Sequence, residues 1–195
     1  MLNENFVILG ALLNFIGGGS YAFDTFRGKT QPNRVTFFLW ALAPLIAFSA
    51  QLSGGIGLRS LMTFMVGLGP AIVFLVSFRD PKAYWKITKF DIICGVLSVL
   101  ALVFWYLSKD VNIAIMLSIL ADLLAGVPTI IKAYKFPETE SYNTFFFGAV
   151  SAAITLLTVK IWSFTVAAFP IYILIICIVI FIPIFKKQGI QLIKS

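Results

Sequence analysis

Six stretches of this chain, residues 6–23, 35–52, 60–78, 92–108, 142–159 and 161–185, contain no charged side chain, and a seventh, 111–131, contains only Asp122. A helix needs about 20 residues, within a range of roughly 17–25, to cross the hydrocarbon of a bilayer. Lipid tolerates only structures that satisfy their own backbone, and long apolar runs are not the short alternating segments of a barrel. The sequence therefore predicts an all-α membrane protein with seven transmembrane helices. Composition agrees: hydrophobic residues make up 60% of the 195 and charged residues 12%, whereas a soluble domain is nearer half apolar and a quarter charged.

The net charge of +7 is explained by where the charges lie. With seven spans, the turns around 24–34, 79–91 and 132–141 share one side with the C-terminal tail. They hold Arg27, Lys29, Arg34, Arg79, Lys82, Lys86, Lys89, Lys132, Lys135, Lys186, Lys187 and Lys194, twelve of the 15 basic residues. The other side holds Arg59, Lys109 and Lys160. The positive-inside rule then puts the N-terminus outside and the C-terminus in the cytoplasm, with the cell (plasma) membrane as the expected location. Tyr84, Trp85 and Phe90 interleave with the lysines of the second turn, as suits a segment at headgroup level. The bilayer, and not nucleic acid, is the partner this charge implies. Met1–Asn5 lacks the basic start of a signal peptide, so the first helix is expected to be retained. Cys94 and Cys177 sit in apolar spans as packing residues, there is no histidine, and no metal or cofactor is expected.

A second signal lies in the register of the chain against itself. Shifted by 108 positions, Asp122 falls on Asn14, Gly126 on Gly18, Pro128 on Ser20, Lys132 on Asp24, and Thr144-Phe145-Phe146 on Thr36-Phe37-Phe38. The register holds without a gap across two helices and their turn. It predicts a three-helix repeat over 1–79, a basic loop and linker helix over 80–110, a second repeat over 111–188 and a short tail, 189–195. The helices are expected near 5–23, from 34, over 57–78, over 92–108, from 111, from 142 and over 165–185. The linker helix ends in an aromatic belt, Phe104, Trp105 and Tyr106. Direct fusion of two three-span units would invert the second, and a fourth helix restores its orientation. The repeats are therefore expected to be parallel bundles around an axis along the membrane normal.

This 3+1+3 arrangement, the short turn inside each unit and the segment GVPTIIKAYKFPETESYNTFFF together resemble the SWEET and PQ-loop superfamily. Pro128 takes the motif's proline position and Thr129 stands where its glutamine would be; the first copy has Ser20-Tyr21 instead. The family's hinge prolines match at Pro44 and Pro128, with Ser20 and Ala152 where the other two would fall. The resemblance implies a carrier of small solutes, sugars and basic amino acids being the family's examples. The asparagine pair of its sugar carriers has no counterpart here. KDEL receptors share the fold, so a non-transporting receptor or interaction protein is the alternative.

A charge at mid-bilayer costs at least about 2.5–3.5 kcal/mol on insertion scales, so it faces a cavity or a partner. Asp122 is the one acid well inside a span, and Asn14 is its mate in the register. The pair predicts either a site for a small polar or cationic solute or a buried Asp–Asn hydrogen bond locking two helices. Trp40 is expected to wall the site. Asp24 and Lys132, at equivalent positions nearer the cytoplasm, are expected to form an ion pair closing the inner gate. A retinal protein would need a lysine within the last span, and 161–185 has none. No constellation of nucleophile, base and acid points to an enzyme. Self-association is left open.

Overall fold

The computed structural model describes residues 2–79, 85–108 and 110–194, with the side chains of 105, 108 and 189–194 not included. The side chains of Lys82, Tyr84, Trp105, Lys109 and Lys194, named above, lie outside it. Among the described residues there are seven α-helices and no strand. They are α1 (Phe6–Phe26), α2 (Arg34–Ser53), α3 (Ser60–Val76), α4 (Lys89–Ser108), α5 (Val111–Lys135), α6 (Tyr142–Leu157) and α7 (Phe164–Lys194). Single 3₁₀ turns at Gly57–Arg59 and Pro137–Thr139 lead into α3 and α6. Among the described residues, five helical segments are long and apolar enough to cross a membrane: α1, α2, Gly57–Val76, α5 and Phe164–Gln188. The sixth helix, α6, is apolar but shorter at 16 residues, and α4 has 20. This is a helical membrane protein.

The helix ends follow local chemistry. Asn33 caps α2, its side-chain oxygen accepting from the backbone N–H of Val35 and Thr36, and Asp110 caps α5 in the same way from Asn112 and Ile113. At the far end of α1, Gly28 has φ +70°, and Lys29 N–H donates to the Asp24 carbonyl at 2.8 Å. Gly55, at φ +76°, ends α2 likewise, with Ile56 donating to Gln51. Both are left-handed stops that glycine adopts without strain. The end of α7 departs from expectation. The sequence predicts a stop near Phe185, where Lys186 and Lys187 begin, yet the helix continues to Lys194. Leaving the apolar region does not by itself break a helix, because lysine is a good helix former, and α7 runs on through Gly189.

Packing places α3 between α1 and α2, which barely touch, and α7 between α5 and α6, which also barely touch. Helix α2 packs on α5 and α1 on α6, closing a ring of six helices, while α4 lies against α5 and, less closely, α2. Two hydroxyls tie the ring together: Thr36 of α2 donates to the Ala125 carbonyl of α5 at 2.7 Å, and Thr144 of α6 to the Gly17 carbonyl of α1 at 2.5 Å. The connections at 27–33, 85–88 and 136–141 meet at one end, where Gln31 N–H donates to Thr139 and Trp85 N–H to Pro32. At the other end Leu2 N–H donates to the Leu157 carbonyl.

Candidate functional site

The ring encloses a cavity of about 70 Å³, room for two or three waters at roughly 30 Å³ each. All six ring helices contribute to its lining and α4 contributes none. Its walls are apolar, from Phe37, Phe145, Ile173, Ile176 and Ile180, and its few polar residues are Asn14, Asp122, Thr144 and the ring nitrogen of Trp40.

Asp122 is 3% exposed, roughly at the middle of α5. Its Oδ2 accepts from the hydroxyl of Tyr172 on α7 at 2.6 Å, and its Oδ1 has no hydrogen-bond partner among the described residues. Trp40, 8% exposed, donates from its indole nitrogen to the Asp122 backbone carbonyl at 3.0 Å. Its ring meets Phe37 edge-on at 5.5 Å and Phe145 at 6.3 Å. The indole fits because position 126 is glycine: a Cβ there would stand 3.0 Å from Trp40 Cζ2. At the opposite wall Gly18 meets Gly69 of α3 so closely that a Cβ on Gly18 would lie 2.9 Å from the Gly69 Cα. The expected Asp122–Asn14 hydrogen bond does not form. Both residues line the cavity, but the carboxylate is held by Tyr172, because α7 packs directly on α5 whereas α1 packs on α6.

The expected gate pair is also different. Lys132 does not meet Asp24; its ammonium pairs with Glu140 at 2.9 Å, with both side chains almost wholly buried, and it donates to the Gln31 carbonyl. The other Glu140 oxygen accepts from the Tyr21 hydroxyl at 2.7 Å. The Trp85 ring lies 5.0 Å from the Lys132 nitrogen. Asp24 instead accepts from Ser141 at 3.3 Å, so it reaches the same turn by another contact. Gln188, beyond the expected end of α7, donates to the carbonyls of Pro137 and Glu140 at 2.7 and 2.9 Å and holds that turn from outside. The buried cluster closes the basic end, on the order of 15 Å along α5 from Asp122 at 1.5 Å per residue. At the other end Arg59 donates to the Thr158 carbonyl at 3.2 Å and lies 3.6 Å from Glu4.

No protein-family model matches the chain, and neither a curated protein nor a solved structure matches it. The chemistry of the site therefore stands on its own residues. A carboxylate with one oxygen fixed by a phenol and the other unpaired can hold a hydrogen-bond donor or a cation, or exchange a proton, between aromatic walls.

Pro44 and Pro128 lie inside α2 and α5, as Pro70 lies inside α3 and Pro170 and Pro183 inside α7. Two residues escaped sequence reasoning. Tyr172 reads as one more aromatic in an apolar span, and its register mate is Phe64, so the repeat offered no hint. Glu140 belongs to a turn that reads as solvated charge, and only the fold buries it.

Proposed function

We propose that the chain is a membrane transporter of a small polar solute, working by alternating access between two three-helix bundles, 1–79 and 111–188, joined by α4. The observation that carries this reading is Asp122: an acid buried at mid-membrane, beside a cavity, with one oxygen unpaired. Such a group is costly to keep in a membrane unless it serves a ligand, a proton or a partner.

Support for two parallel bundles comes from matching contacts. In each bundle the third helix lies between the first two. The bonds Thr36–Ala125 and Thr144–Gly17 map onto each other in the 108-residue register, donor on donor and acceptor on acceptor. The contacts α2–α5 and α1–α6 are then the two equivalent seams between bundles. Rocking about Pro44 and Pro128 would part the seams at one end at a time. Opening the basic end requires Tyr21 to leave Glu140 and Gln31 to leave Thr139 and Lys132. Opening the other end requires Arg59 to leave Thr158. With the N-terminus outside, the basic end faces the cytoplasm of a cell whose plasma membrane holds the protein.

A thermal-shift screen of small polar solutes, followed by uptake of the stabilising ones into proteoliposomes, tests the reading. Uptake that is lost in Asp122→Asn supports it. A solute that raises the melting temperature through Asp122 yet never crosses the bilayer would replace it with the receptor reading.

A further inference from the structure

On the outside of the ring a groove of about 680 Å³ runs between α2, α3 and α4. It exists because α4 leans on α2 and α5 and makes no substantial contact with α3. Gly95 fixes that lean: a Cβ there would stand 2.8 Å from Cγ1 of Val35, so α4 is drawn to α2 and the space is left on the α3 side. Phe38, Phe74, Phe78, Val96, Val99 and Leu100 form much of the wall, and all but Phe74 are exposed, from 46% for Phe38 to 55% for Phe78.

One end of this groove is charged. Arg34 belongs to its lining, with its guanidinium 4.4 Å over the Phe78 ring and its nitrogens donating to Ser77. Ile87 lines the same end, flanked in the chain by the exposed Lys86 and Lys89. Among the described residues the nearby acid is Asp91, which is buried and engaged by Asn33 and Thr88 and so offsets little of this charge at the surface. From that end the wall along α4 extends from Ile92 to Leu100, about 12 Å at 1.5 Å per residue. One leaflet contributes roughly 15 Å of hydrocarbon, half of the ~30 Å core. A cationic mouth at the level where α2 begins, above an apolar channel one leaflet deep, has the shape and charge of a phospholipid site.

We propose that this groove binds an anionic phospholipid, with its headgroup phosphate beside Arg34, Lys86 and Lys89 and one acyl chain between α3 and α4. The three cations select for net negative charge, and the groove selects for a chain lying along α4. The site is separate from the central cavity and does not depend on transport.

The test uses the full chain reconstituted in vesicles of equal phosphatidylglycerol and phosphatidylcholine, extracted in mild detergent and weighed intact by native mass spectrometry. The expected result is a retained phosphatidylglycerol in clear preference to phosphatidylcholine. Lys86→Gln with Lys89→Gln should lower that preference about fivefold per charge removed. Val96→Trp, which fills the groove from an exposed position, should remove the retained lipid, whereas Ile175→Trp on the exposed side of α7 should not. Melting temperatures of the variants check that each is folded. Equal retention of the two lipids overturns the proposal, as does retention unchanged by Val96→Trp. A dimer that Val96→Trp abolishes would show that a second copy occupies the groove instead.

Discussion

Tyr172 of α7 donates its hydroxyl to Oδ2 of Asp122 at 2.6 Å, and this bond fixes the one acid buried at mid-membrane against the helix facing it. The other oxygen of the carboxylate has no partner among the described residues and is a free acceptor beside the cavity. Asp122→Asn keeps an acceptor for Tyr172 and removes the buried charge, so the protein should stay folded while uptake is lost or uncoupled. Asp122→Leu strands the tyrosine hydroxyl and should lower stability by roughly 1–3 kcal/mol. Uptake by proteoliposomes and melting temperature, measured on both variants, separate the roles. Normal uptake by Asp122→Asn at several pH values would remove Asp122 from the site.

The Lys132–Glu140 pair should behave as a buried ion pair. Glu140→Gln or Lys132→Met alone leaves a buried charge without its partner, a loss of about 3–5 kcal/mol in comparable cases. The double variant should recover much of that loss. Tyr21→Phe keeps the pair and cuts its bond to α1, so it should chiefly raise the reactivity of cysteines introduced at the basic end. Asp24→Asn should change stability little. Chemical unfolding and thiol-labelling rates check these outcomes.

Thr36 and Thr144 make equivalent bonds across the two seams. Thr36→Val and Thr144→Val should each cost about 0.6 kcal/mol, up to roughly 1.7, and their effects should add because the bonds lie in separate seams. Superposition of 1–79 on 111–188 should align the two bundles in the 108-residue register, and failure to superpose would end the two-bundle proposal.

Gly126 makes room for Trp40 and Gly18 for α3. Gly126→Val should push the indole out of the cavity wall, seen as a shift in tryptophan emission and weaker solute binding. Gly18→Ala brings a methyl against backbone, which cannot rotate away, and should cost about 1–3 kcal/mol. Gly19→Ala meets nothing within 4 Å and should be nearly neutral.

The sequence by itself determined the helices, since apolar length and the gaps between charges are local properties that lipid enforces directly. It also marked Asp122, Asn14 and Trp40, and all three line one cavity. What it did not determine was which polar groups pair. Asp122 bonds Tyr172 and not Asn14, and Lys132 pairs with Glu140 and not Asp24. Each choice depends on which helices pack and on where a turn folds back, neither of which is written in the spacing of charges along the chain. Several polar groups lie at similar depth, and depth is all that an apolar pattern encodes. Only the approach of α7 to α5, and the burial of the 136–141 turn beneath α7, selected among them.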